Sequence, residues 1–195
     1  LTTRVMQRSL EAVARWRADG LDVGVAVNLS ARLLSDLDLP VRIATVLAET
    51  GVPAHALTVE VTENSLMSDA RAARTILLAL RGMGVRLSID DFGTGYSSLY
   101  YLKRFPVDVV KIDRSFVDGL GTDADDDAIV TAVLSLGHAL GLRVVAEGVE
   151  TEAQRERLVA LGCDAGQGYL MSRPVPAAEV PRTRSEEHTS ELQSH

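Results

Sequence analysis

Apolar residues recur at helical spacing at the start of the chain. Val5, Met6, Leu10, Val13 and Trp16 form a stripe that Gly20 closes, which predicts an amphipathic helix over Arg4 to Ala18. The next apolar run, Val23 to Val27, is short and β-branched and reads as a strand. A helical stretch over Pro40 to Thr50 follows, ended by Gly51-Val52-Pro53. The alternation then continues with strand Leu57 to Val61 and helix Asp69 to Gly82, strand Val85 to Ile89 and helix Ser97 to Phe105, and strand Asp108 to Ile112 and helix Asp125 to Leu140. Two further units are strand Leu142 to Ala146 with helix Thr151 to Leu161, and a strand near Ala165 to Leu170 with a weak helix after Pro176. Tandem strand-helix units with such short connections call for a parallel sheet, doubly wound or closed into a barrel.

The polar residues decide between the two. A doubly wound sheet gathers its functional groups near one switch point, whereas a barrel carries them at the C-terminal ends of many strands. Here every strand end carries one: Asn28 after the first, Glu60 in the second, Asp90 and Asp91 after the third, Lys111 and Asp113 in the fourth, Glu147 after the fifth, Gln167 in the sixth. The expected fold is therefore α/β, a modified (β/α)8 TIM-like barrel that is incomplete, with about six of eight strands present and two missing at the front.

Composition fits one soluble globular domain: 195 residues, 46% hydrophobic and 24% charged, net charge −7. No apolar run reaches the roughly 18 residues of a spanning helix and no signal peptide opens the chain, so the expected location is cytoplasmic. The acidic balance, without a Lys/Arg cluster, argues against a nucleic-acid duplex as partner. Cys163 has no partner for a disulfide or a CxxC zinc site and reads as core. The acidic run Asp123 to Asp127 sits where a helix begins and reads as capping.

The ring has the character of a hard-cation site. Glu60 interrupts a strand otherwise built for burial, so it needs either a salt-bridge partner or a cation. Asp90 and Asp91 are adjacent carboxylates that repel without a cation. Asn28 offers an amide oxygen, or caps a helix together with Ser30. His55, His138, His188 and His195 all lie elsewhere, which disfavours zinc and copper and favours Mg2+ or Mn2+. Two such ions clamp a phosphoryl group, making phosphodiester hydrolysis the leading reaction class. Lys111 is one of only two lysines, with Lys103, and its place between Val110 and Ile112 requires anionic partners. Glu147 reads as a general base or a further ligand, while Glu150 reads better as a helix-start carboxylate. The loop Asp91 to Ser98 contains Asp-Phe-Gly, but no Gly-rich loop or His-Arg-Asp accompanies it, so a kinase is excluded.

Val27-Asn28-Leu29-Ser30, Glu60-Val61-Thr62-Glu63, Asp90-Asp91-Phe92-Gly93-Thr94-Gly95-Tyr96-Ser97-Ser98, Lys111-Ile112-Asp113-Arg114-Ser115-Phe116, Ala146-Glu147-Gly148-Val149-Glu150 and Gln167-Gly168-Tyr169 occur in this order. Together they strongly resemble the EAL-domain cyclic di-GMP phosphodiesterases, from the first helix to about Pro176. The resemblance implies hydrolysis of cyclic di-GMP to linear pGpG with two Mg2+ or Mn2+ ions. It implies Asn28, Glu60, Asp90 and Asp91 as metal ligands, Lys111 holding the nucleophilic water, and Glu147 as general base or metal-associated acid. Asp113 and Gln167 would line the site. Glu63 would anchor the loop Phe92 to Ser98, which in the family couples the site to dimerisation, and Arg114 would stay structural.

The resemblance also implies a homodimer and, in a parent protein, attached sensor or cyclase domains. The Glu-Ala-Leu strand that names the family, with its metal-binding Glu and nearby Arg, lies upstream of Leu1, so weak or no activity is expected of the chain as it stands. Residues 1–183 are expected to be a partial EAL domain. Residues 184–195 resemble a translated sequencing adapter and are expected to be a disordered tail. The competing function is a non-catalytic cyclic di-GMP receptor or interaction module; a barrel phosphohydrolase or lyase acting on another ligand is a third.

Overall fold

The computed structural model describes residues 2–94 and 102–180. The expected helix Ser97 to Phe105 falls mostly, and the tail from Arg184 wholly, outside the described residues. No described helix is long and apolar enough to cross a membrane.

The described residues form two compact units, divided within one strand between Ile89 and Asp90. The first begins with α1 (Thr2–Ala18), which buries Met6, Leu10 and Val13, whereas Val5, expected on the same stripe, is 48% exposed. Strand β1 (Val25–Leu29) both starts and ends two residues later than expected, so Asn28 lies inside it. Helix α2 (Leu39–Thr50) ends on Gly51 at φ +67°, a left-handed C-cap that glycine adopts without strain. Strand β2 (Leu57–Thr62) pairs in parallel with β1, placing Asn28 opposite Glu60. A short helix that the pattern did not reveal, α3 (Glu63–Ser68), follows directly, capped by the Thr62 side chain. Asp69 then caps α4 (Ala70–Gly82), accepting from the Ala72 N–H at 3.0 Å, and α4 buries Ala73, Ile76, Leu77 and Leu80 at the 3.6-residue period.

Strand β3 (Arg86–Phe92) follows β2 in the sheet and runs three residues beyond the expected end, so Asp90 and Asp91 stand within it. Through Ile89 it belongs to the first unit, and from Asp90 to the second.

In the second unit β4 (Val109–Ile112), β5 (Arg143–Glu147) and β6 (Ala165–Gln167) are parallel neighbours. Near-continuous apolar runs such as Val109-Val110 and Val144-Val145-Ala146 suit strands covered on both faces. Asp113 is not part of β4. It caps a second short unexpected helix, α5 (Arg114–Asp118), accepting from the Ser115 N–H at 3.0 Å. Helix α6 (Ala124–Ala139) is capped by Asp123, which accepts from the Asp125 N–H at 2.8 Å, while Asp127 accepts from the Gly121 N–H and pairs with Arg157. The acidic run is thus capping and pairing, as its position implied. Helix α7 (Glu152–Ala160) opens on a complete capping box between Thr151 and Gln154. Of the weak helix expected after Pro176, the described residues show turns over 177–179 and helical backbone at Val180 alone.

Candidate functional site

The second unit gathers its charged residues at the C-terminal ends of β3, β4 and β5. Lys111, 6% exposed, points from β4 to Asp90 on one side, Nζ to Oδ1 3.0 Å, and forms an ion pair with Glu147 Oε1 on the other. The Asp90 contact is ionic without the directionality of a hydrogen bond. Gln167 stands opposite Glu147 in the β5–β6 register and donates from Nε2 to the same Oε1 at 2.6 Å. Asp90, Asp91 and Glu147 each present an oxygen within 4.8 Å of the others, a separation at which one cation could be shared. All three are hard oxygen donors, so the set fits Mg2+ or Mn2+.

Asp91 has a left-handed backbone, φ +54°, uncommon for a residue other than glycine though tolerated by Asp. Its carbonyl accepts from both the N–H and the hydroxyl of Thr94, closing a turn. Burial pushes the Asp91 carboxyl above the usual carboxylate range, the neighbouring charges of Asp90 and Asp113 push it further, and Lys111 opposes them. Asp113 therefore caps α5 and acts on the site through its charge on Asp91.

Beside Glu147 and Gln167 an open cleft of about 410 Å³ is lined by Arg114, Glu150, Tyr169 and Arg173 among others. Arg173 Cζ sits 5.1 Å from the Tyr169 ring centroid, within cation–π range. Two of its lining glycines are closely approached by neighbouring atoms. A Cβ on Gly148, whose φ is +70°, would fall 2.3 Å from Arg114 Cγ, and one on Gly168 would fall 2.1 Å from the Val149 carbonyl oxygen. Arg114, expected to be structural, pairs with Asp118 at 3.2 Å and Glu150 at 3.0 Å. Sequence reasoning did not single out Arg173, and only its closeness to the end of β6 could have signalled it.

In the first unit, Asn28 and Glu60 are side by side across the β1–β2 register, Asn28 exposed and Glu60 8% exposed. Glu63 is buried as the first residue of α3. Of the loop it is expected to anchor, residues 95–98 lie outside the described ones.

The EAL domain family matches residues 1–174. The chain belongs to the EAL domain family. Its fold class is accordingly the incomplete (β/α)8-type barrel expected above, and this EAL chain shares it with solved relatives. The structure of the PaMucR phosphodiesterase in its c-di-GMP complex is 46% identical with a TM-score of 0.87, covering 91% of this chain and 72% of that one. The crystal structure of the EAL domain of Mycobacterium smegmatis DcpA is 38% identical with a TM-score of 0.91, covering 97% and 86%. Among curated proteins, the bifunctional diguanylate cyclase/cyclic di-GMP phosphodiesterase MucR of Pseudomonas aeruginosa is 47% identical over 177 residues, 90% of this chain. The EAL chain spans 26% of MucR and 20% of the Bacillus subtilis signaling protein YkoW, so it corresponds to about a quarter or less of these relatives.

Proposed function

We propose that this chain is a metal-dependent phosphodiesterase unit that opens cyclic di-GMP to linear pGpG. The observation that carries the reading is the buried Lys111 ammonium seated between Asp90 and Glu147, with the Asp91 carboxylate in reach of both acids. The Lys111 ammonium attracts the phosphodiester anion, and a divalent cation held by the three carboxylates would offset their repulsion of it. Asp90, Asp91 and Glu147 would hold a divalent ion, and the resemblance adds Asn28 and Glu60 to the ligands. When bound, Mg2+ or Mn2+ supplies Lewis-acid polarisation of the phosphoryl group and neutralises charge there.

The remaining steps belong to the chain's own residues. Lys111 orients the attacking water and stabilises negative charge developing on the phosphoryl oxygens. Glu147, held by Gln167 and Lys111 through Oε1, takes a proton from that water as the water oxygen bonds to phosphorus, and the ribose 3′-oxygen leaves with a proton returned from Glu147 as its phosphorus–oxygen bond breaks. Arg114, Arg173 and Tyr169 give the adjoining cleft cationic and aromatic groups suited to a nucleotide. Homodimerisation, coupled to the site by the loop Phe92 to Ser98, and tethering to sensor or cyclase domains follow from the resemblance.

The reading is tested by incubating the chain with cyclic di-GMP and Mn2+ and separating products by chromatography. Slow, chelator-sensitive formation of pGpG, abolished in Glu147→Gln, is expected. Nucleotide binding without turnover would assign a receptor instead, and failure to bind cyclic di-GMP would defeat both readings.

A further inference from the structure

Strand β6 is three residues long, so few ladder bonds hold its register, and a slip of one residue would turn Gln167 to the opposite face and move it by about 3.3 Å. The residue just before it, Asp164, supplies what the ladder lacks. Its Oδ2 accepts the backbone N–H of Val144 at 2.7 Å and lies 3.0 Å from Nε2 of His138 in the last turn of α6. Val145 and Ala165 are register partners, so Asp164 grips the residue directly opposite it. Three residues along both strands stand Glu147 and Gln167, joined at 2.6 Å.

The same device occurs independently before β4. Asp108 Oδ2 accepts the Leu87 N–H at 2.9 Å, and Asp108 Oδ1 lies 3.6 Å from Arg81 in the last turn of α4. Three residues along each of those strands come Asp90 and Lys111, 3.0 Å apart. In both cases a basic residue at a helix end, Arg81 or His138, lies six residues before the gripped amide, and the Asp follows that amide by 21 or 20 residues. Each clamp thus lies three residues upstream of one of the two polar pairs that meet at the site.

We propose that Asp164 is a positioning residue. It fixes the β5–β6 register, and through it holds the Gln167 amide on Glu147 so that Glu147 faces the cation and the phosphodiester in a single orientation. The metal part of this statement rests on the function proposed above; the register part does not.

The test uses the full chain, metal-free and then titrated with Mn2+, as Asp164→Ala, Asp164→Asn and a control, Leu158→Ala, in which a fully buried side chain of α7 is truncated. In metal-free Asp164→Ala, nuclear magnetic resonance should show the Val144 amide losing exchange protection and the Gln167 side-chain amide moving to the position of a free amide. Asp164→Asn, which keeps an acceptor oxygen, should restore both. The control should leave the Gln167 amide in place even where its Tm falls as far. On titration, Mn2+ affinity should fall about tenfold or more in Asp164→Ala, the range expected when support behind a ligand is removed, and recover in Asp164→Asn. An unmoved Gln167 amide in Asp164→Ala, or an equal movement in Leu158→Ala, overturns the proposal. Absence of Mn2+ binding to the native chain would sink the metal reading instead, with the Gln167 amide still deciding the positioning role.

Discussion

Replacing Lys111 by Met keeps most of the side-chain volume and removes the charge. The ammonium is buried, its side chain 8% exposed, between Asp90 at 12% and Glu147 at 17%. At 3.0 Å, and with the effective dielectric near 20 that suits partly buried pairs, one such pair is attractive by about 5 kcal/mol before desolvation is subtracted. Removing one member of a buried pair typically costs about 3–5 kcal/mol, because the partner charge stays behind without compensation. Here two partners stay behind, and with Asp91 they form three carboxylates whose oxygens lie within 4.8 Å of one another.

Lys111→Met is therefore expected to lower stability of the metal-free chain by about 3–5 kcal/mol, or about 6–20 °C in Tm for a chain of this size. A divalent cation replaces the missing charge, so Mn2+ should raise the Tm of the variant by more than it raises that of the native chain. Circular dichroism melts at neutral pH, in chelator and in millimolar Mn2+, read both quantities. A variant as stable as the native chain without metal, or an equal Mn2+ effect on both, would refute the charge argument and leave Lys111 as packing.

Burial and the charges of Asp90 and Asp113 raise the Asp91 carboxyl, so the unfolded chain ionises this group first. Its contribution to stability is full below the ordinary carboxylate value, near 4, and is lost as pH rises through the higher folded value. Mn2+ should consequently stabilise the chain more at pH 7 than at pH 4.5, and melts showing the reverse order would contradict this. Burial pushes the Cys163 thiol up to about 11, and the thiol is 2% exposed with its S–H donated to the Ala165 carbonyl at 3.2 Å. Iodoacetamide at pH 8 should label it only under denaturing conditions, and stoichiometric labelling of the native chain by mass spectrometry would disprove its core placement. The Ser88 hydroxyl is 1% exposed and has no hydrogen-bond partner among the described residues. Ser88→Ala should be neutral or stabilising by about 1 kcal/mol in urea unfolding, since an unsatisfied hydroxyl costs free energy that a methyl group does not; a clear loss would mean that a bound water satisfies it.

The alternation of period 3.6 with short β-branched runs was enough to place every described strand to within three residues at either end, because each element's pattern is written in its own residues. It was not enough for α3 and α5, which are six and five residues long and too short to show a helical stripe. Nor did it separate Val5 from the buried Met6 beside it, a matter of where the neighbouring elements lie. The site residues were legible by type: carboxylates, an amide and a lone lysine interrupting apolar strands are costly enough to announce a purpose. Their partnerships were not legible. That Lys111 meets both Asp90 and Glu147, residues 21 before and 36 after it, follows from strand register. Register is settled by hydrogen bonds between distant segments, down to single side chains such as Asp164, and no local periodicity encodes it. The sequence by itself determined the described strands and longer helices, the family and the chemical character of the strand ends; tertiary structure alone decided which charge faces which.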